Sequence, residues 1–149
     1  MRRLVWCSRP CLGLVVALAL VGCSGTQSEA GMAEVQQQIQ LRLDGPWRLT
    51  SYVPNETLSP AMLLSLQTDS IVVTFDQGRV RTSSIGLQFD RGYRIMPVSD
   101  DSFRLYIRDD QGIEYESFCR FDDAGNLDFQ TFTSPWTGRG RLQREGAAM

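Results

Sequence analysis

From Ser70 to Arg144 this chain alternates apolar and polar side chains with a period of two, and turn residues interrupt the pattern at short intervals. A two-residue period buries one side of a segment only if the segment is extended, so the pattern demands strands joined by hairpins. Ile71, Val73 and Phe75 share a face before Asp76-Gln77-Gly78 turns, and Val80, Thr82 and Ser84 continue on the same side. Gly86 breaks or bulges the next strand, Gly92 to Met96 follows, and Ser99-Asp100-Asp101 turns again. Phe103, Leu105 and Ile107 then alternate with Arg104, Tyr106 and Arg108, and Asp109-Asp110-Gln111-Gly112 closes another hairpin. Ile113 to Phe121, Leu127 to Thr131 and Arg139 to Arg144 complete the series, with a turn over Asp122 to Asn126. Upstream, Leu43 to Tyr52 is a further alternating segment anchored by Trp47, the kind of large aromatic that brings much buried area to a β core. The reading is all-β: a small antiparallel up-and-down barrel of about eight strands, the number at which such a sheet closes and removes its edges.

One helix interrupts the strands. Ser59-Pro60 is an N-cap with proline at the first helical position, launching Ala61 to Leu66 after the first strand. Its Met62, Leu63 and Leu66 are expected to pack as a lid or plug over one barrel end.

The first strand also carries a resemblance. Gly45-Pro46-Trp47 followed by alternating Leu49 and Ser51 resembles the first-strand motif of lipocalins and other calycins, including the lipocalin-like domains of bacterial lipoproteins. The resemblance spans Leu41 to Glu145. It implies that first and last strands pair, and that an arginine near the chain's end covers the tryptophan at the closed end, a role Arg139 or Arg141 matches. Fatty-acid-binding proteins share the pattern and hold a carboxylate with Arg-x-Tyr on the final strand; here Arg139-Gly140-Arg141 has arginine in the tyrosine's place. The chain lacks the lipocalin Thr-Asp-Tyr turn motif, the long C-terminal helix and a disulfide. Parity on the last strand has two solutions. If Gly140 and Leu142 face inward, Arg139 and Arg141 face out and the anion site vanishes; if the arginines face in, Leu142 faces out.

The N-terminus reads as an export signal over residues 1–22, with Arg2, Arg3 and Arg9 before and at the start of an apolar run that ends in Leu20-Val21-Gly22-Cys23. Those four residues resemble the lipobox of bacterial lipoproteins, which implies that Cys23 is the acylated first residue of the mature protein, its lipid anchor in the membrane. Ser24 rather than Asp after the cysteine implies the periplasmic face of the outer membrane in a Gram-negative cell. Residues 23–40 then read as the acylated cysteine and a flexible tether, in which a short helix over Met32 to Leu41 has only a thin apolar stripe; 41–145 is the barrel domain and 146–149 a disordered tail.

Cleavage leaves Cys119 as the remaining thiol, because Cys7 and Cys11 depart and Cys23 is acylated. Removing Arg2, Arg3 and Arg9 from the 15 basic residues leaves 12 against 17 acidic ones, a net charge of −5 that disfavours nucleic acid. With 0 His the usual acid-base catalyst and zinc ligand are missing. Cys119 falls on the apolar face of its strand as a small core residue. Acidic pairs such as Asp109-Asp110 and Asp122-Asp123 mark hairpin tips, and Glu114 and Glu116 are outward charges beside Arg104 and Arg108. No catalytic residues, metal ligands or cofactor are therefore expected.

The interior set combines bulk, as in Trp47, Phe75 and Phe103, with small groups such as Thr82, Ser117 and Thr131, which leaves room for a shallow pocket. The candidate ligand-binding residues are Arg139, Arg141, Thr82, Ser117 and Thr131, and the ligand is a small apolar or amphipathic molecule. The alternative is a structural or partner-binding lipoprotein of the envelope with a filled barrel and no ligand.

Overall fold

The computed structural model describes residues 26–68, 71–84, 87–134 and 136–146. Helix α1 (Thr26–Leu43) leads into β1 (Gly45–Pro54), helix α2 (Pro60–Thr68) and seven further strands. These are β2 (Val72–Asp76), β3 (Arg79–Ser84), β4 (Leu87–Pro97), β5 (Ser102–Arg108), β6 (Glu114–Phe121), β7 (Leu127–Thr131) and β8 (Gly138–Arg144). All neighbours are antiparallel and follow chain order, and β8 returns to pair with β1, so the sheet is a closed eight-stranded barrel with α2 after the first strand. Closure leaves no row of backbone groups at a sheet edge to satisfy separately.

Hairpin tips alternate between two ends. The β2–β3, β4–β5 and β6–β7 turns stand with α1 and the start of β1, whereas α2, the β3–β4 and β5–β6 turns and the β7–β8 loop stand at the other. Turn chemistry follows the sequence: Asp109 and Asp122 accept backbone N–H groups two and four residues on, the local bonding that makes aspartate a turn former. Outside, the strands are laced by cross-strand pairs such as Arg79–Asp90 at 2.7 Å, Arg94–Glu114 at 3.1 Å and Arg104–Glu116 at 2.5 Å. Being exposed, each contributes little to stability and mainly marks the outer face.

The core is concentrated at the α1 end. Ile39, Leu43, Trp47, Phe103 and Leu127 are all between 0% and 1% exposed, with Phe121 tilted between the Trp47 and Phe103 rings. The reading of residues 23–40 as a flexible tether is corrected here, because most of that stretch is helix α1 and its last turns belong to the fold. Val35, Ile39 and Leu43 recur every four residues on one face, which is a thin stripe, but the open end of a barrel needs only a thin stripe to seal it. Polar contacts fix the helix in place. Gln40 donates to Asp44 Oδ1 and to the Tyr93 hydroxyl, and Arg42 pairs with Asp101 at 2.7 Å while its guanidinium lies 4.1 Å from the Phe121 ring centre. The folded unit therefore begins within α1 rather than at residue 41.

Gly45 joins α1 to β1 at φ 117°, a backbone geometry that side-chain-bearing residues rarely adopt. β1 then carries a bulge between Leu49 and Ser51, which exchanges the faces beyond it: Trp47 and Leu49 point inward, and so does Tyr52. β4 begins at Leu87, five residues ahead of the expected Gly92, and pairs with β3 through its first half and β5 through its second. The signal segment 1–22, Cys23, Gly86 and residues 147–149 lie outside the described residues. No helix among the described residues is long and apolar enough to cross a membrane.

Candidate functional site

Beyond the Trp47 layer the barrel is hollow. A cavity of about 380 Å³ lies between the strands, at the small end of the ~300–1,000 Å³ range of small-molecule pockets. Its floor is apolar, formed by side chains such as Phe75, Val80, Leu105, Leu127 and Leu142. Leu66 of α2 and Trp136 of the β7–β8 loop line its outer part, so the expected lid contributes Leu66. Leu63 and Leu64 instead face solvent, at 41% and 60% exposure, and the Met62 side chain lies outside the described residues.

The hollow exists because small side chains take inward positions on several neighbouring strands. Ser117 on β6 is directly opposite Thr131 on β7, and their hydroxyls bond each other at 2.8 Å. Thr82 on β3 also lines the cavity, as expected, but its buried Oγ1 has no hydrogen-bond partner. On β8 the inward position is Gly140; a Cβ there would sit 2.5 Å from Phe129 Cζ and 2.8 Å from the Ser51 carbonyl oxygen. Its absence lets Phe129 stack on Tyr52 at 6.3 Å between ring centres. The Tyr52 hydroxyl in turn donates to the Trp136 carbonyl at 2.9 Å, tying the β7–β8 loop to β1 across the mouth.

Parity on β8 resolves in favour of Leu142 and Gly140, and the expected anion site built on Arg139 and Arg141 is thereby corrected. Leu142 is buried, Arg139 is exposed, and Arg141 lies on the outer face, bonding Asp128 through Nε at 2.7 Å and Nη2 at 3.0 Å. The bidentate bond to Asp128 raises the Arg141 pKa further above its ordinary value. Neither arginine lines the cavity. Nor does either cover Trp47. That position belongs to Arg144, paired with Trp47 in register, its guanidinium 4.9 Å from the indole. Arg144 also donates to the carbonyls of Asp44 and Arg42, and Trp47 Nε1 donates to the Leu43 carbonyl at 2.7 Å. Three carbonyls at the end of α1 are thus satisfied by the pair that closes the barrel.

Arg91 is the charged residue that the sequence reading missed. It lines the cavity from β4, opposite Val80 of β3, with its side chain 29% exposed. The signal was present: Phe89, Arg91, Tyr93 and Ile95 share one face, but a strand started at Gly92 never brings Arg91 into view. Beside it stands Asp109, at 3.9 Å. Burial opposes the Asp109 charge, yet hydrogen bonds from the Ile113 amide, the Tyr115 hydroxyl and the Gln111 amide, with Arg91 nearby, outweigh it and hold the carboxyl below its usual range. That bond to Asp109, with burial, pushes the Tyr115 hydroxyl up.

Cys119 forms part of the cavity floor and is 1% exposed. Burial drives its pKa far above the ordinary thiol value, so it is a neutral apolar wall at physiological pH. The arrangement as a whole can enclose an apolar body and offer it one guanidinium, that of Arg91. No family model matches the chain, and no curated protein matches it.

Proposed function

We propose that this chain is a lipid-anchored lipoprotein of the cell envelope, at the periplasmic face of the outer membrane, whose lipocalin-like barrel binds a small apolar or amphipathic molecule. The observation that supports this most is the cavity of about 380 Å³ with an apolar floor, in a barrel whose opposite end is packed solid. Eight strands enclose about enough space for either a filled core or one small ligand, and here inward Thr82, Ser117 and Thr131 tip the balance toward space. The Leu20-Val21-Gly22-Cys23 segment supports the anchor. Two experiments test the two parts. Growth with an alkyne fatty acid labels the wild type and not Cys23→Ser if the anchor is real. Titration of a form beginning at Ser24, which keeps all of α1 and the barrel, with a neutral solvatochromic dye gives a saturable, stoichiometric signal if the barrel is a binder, and none if it is not.

A second reading has its own support. Val53, Ile113 and Phe132 are exposed at 61%, 47% and 54%, and all three flank the open end of the barrel along with Leu63 and Leu64. An apolar rim of this kind suits contact with an envelope protein partner. Absence of dye binding combined with capture of a defined partner, lost on Phe132→Ser, favours that reading.

A further inference from the structure

We infer that the barrel's ligand is a single-chain amphiphile with one carboxylate head, and that the head is held by Arg91 where β4 runs past the end of its ladder with β5, while the tail lies in the apolar cavity. This inference rests on the ligand-binding reading above.

The position of Arg91 follows from strand pairing. The β4–β5 ladder ends at Tyr93 opposite Ile107, while β4 continues back through Gly92 to Leu87 held by β3. One step beyond the end of the ladder, Arg91 and Asp109 face each other as side chains across 3.9 Å. β5 ends there and turns, while β4 stays paired with β3, and Arg91 lines the cavity just past the end of the β4–β5 ladder. Among the described residues, it is the one charged side chain that lines the cavity, and no carboxylate lines it. The other inward arginine, Arg144, is committed to the end of α1 and to Trp47 at the opposite end.

Asp109 holds Arg91 by charge, at a distance beyond a hydrogen bond. The carboxylate's own bonds are taken up within its hairpin: Oδ1 accepts the Gln111 and Ile113 amides at 2.9 and 2.8 Å, and Oδ2 accepts the Tyr115 hydroxyl at 3.1 Å. A planar guanidinium fork matched to a carboxylate therefore remains oriented by charge rather than consumed by a bidentate partner. Thr82 supplies room beside Arg91. It is opposite Phe89, which places it diagonally across the β3–β4 pair from Arg91 on the same inward face. Its side chain lines the cavity, while its Oγ1 presents no surface to that space and, among the described residues, has no hydrogen-bond partner.

The charge balance selects one negative charge. With Asp109 adjacent, the single positive charge of Arg91 is already partly offset, so a second negative charge on the head, as in a phosphate monoester, meets repulsion. The size of the cavity selects one chain of medium length rather than a diacyl lipid.

Calorimetric titration of the form beginning at Ser24 with decanoate and with decanol reads this directly. Decanoate should bind more tightly than decanol, and Arg91→Gln should weaken decanoate about ten- to a hundredfold, the range of one charge-assisted hydrogen-bonded contact, while changing decanol by less than about threefold. Arg91→Lys should fall between. Equal affinity for the two compounds, or equal loss of both in Arg91→Gln, overturns the carboxylate site and leaves the apolar binder standing. Failure of both to bind the wild-type barrel overturns the binder and the inference together. A readout that needs no Arg91 variant is carbon NMR of carboxyl-labelled decanoate. Bound, its carboxyl should titrate at lower pH than free, and an unshifted or raised titration overturns the assignment to a guanidinium.

Discussion

The two ends of this barrel are made by the same eight strands and differ almost completely in how they are filled. At the α1 end Trp47, Phe103, Phe121 and Leu127 interlock with Ile39 and Leu43, and the buried Trp47 Nε1 has a partner. At the α2 end the corresponding inward positions carry Thr82, Ser84, Ser117, Thr131 and Gly140, and two of the buried hydroxyls, on Thr82 and Ser84, have none. Alternation alone makes a barrel; side-chain volume at the inward positions decides whether a given layer is solid or hollow. The contrast assigns stability to one end and space to the other, because buried apolar contact is what holds a small barrel together.

Trp47→Ala tests that assignment most severely. Removing the largest side chain of the solid end, along with its bond to the Leu43 carbonyl, should destabilise the protein by ~3–5 kcal/mol in urea unfolding, and a loss below about 1 kcal/mol would erase the distinction between the ends. Gly140→Ala probes the hollow end by adding volume. Its Cβ collides with the Phe129 ring and the Ser51 carbonyl, so a cost of about 1–3 kcal/mol is expected, with a reduced capacity for dye if Phe129 is driven into the cavity. Arg144→Gln returns to the solid end and strips donors from the last carbonyls of α1. Since Arg144 is exposed, about 1 kcal/mol is expected, accompanied by faster amide exchange in α1 than in β5 and β6. Thr82→Val is the smallest effect. Replacing an unpartnered buried hydroxyl by a methyl group of similar shape should leave stability within about 0.5 kcal/mol or raise it, and a larger loss would mean that the hydroxyl is not idle in the unliganded barrel.

Helix α1 shows where composition misleads. Gln36-Gln37-Gln38 and the small residues before it look like a solvated tether, and in isolation the stretch has little reason to bury anything. Val35, Ile39 and Leu43 acquire a reason once the barrel presents an open end one helix face wide, so the helix is a consequence of closure rather than of its own pattern. Arg91 shows a different failure. Its phase relative to Tyr93 and Ile95 was legible, but the start of its strand was not, since a charge at the inward position 91 followed by Gly92 interrupts the apolar rhythm and makes β4 look shorter than it is.

The sequence by itself determined the strand number, the antiparallel order, the hairpin tips at Asp109 and Asp122, the helix launched by Pro60 and the burial of Trp47. Each of these depends on period, turn chemistry or bulk, which are properties of short stretches. Tertiary structure alone decided which arginine did what. Period two says that Arg139 and Arg141 share a face, and so do Gly140 and Leu142, but not which face is in; that sign is set when β8 packs its Leu142 opposite Leu49 to close the sheet. The same closure turns Arg144 over Trp47 and puts Arg91 on the cavity wall just past the end of the β4–β5 ladder, because inward and outward have no meaning until the first strand meets the last.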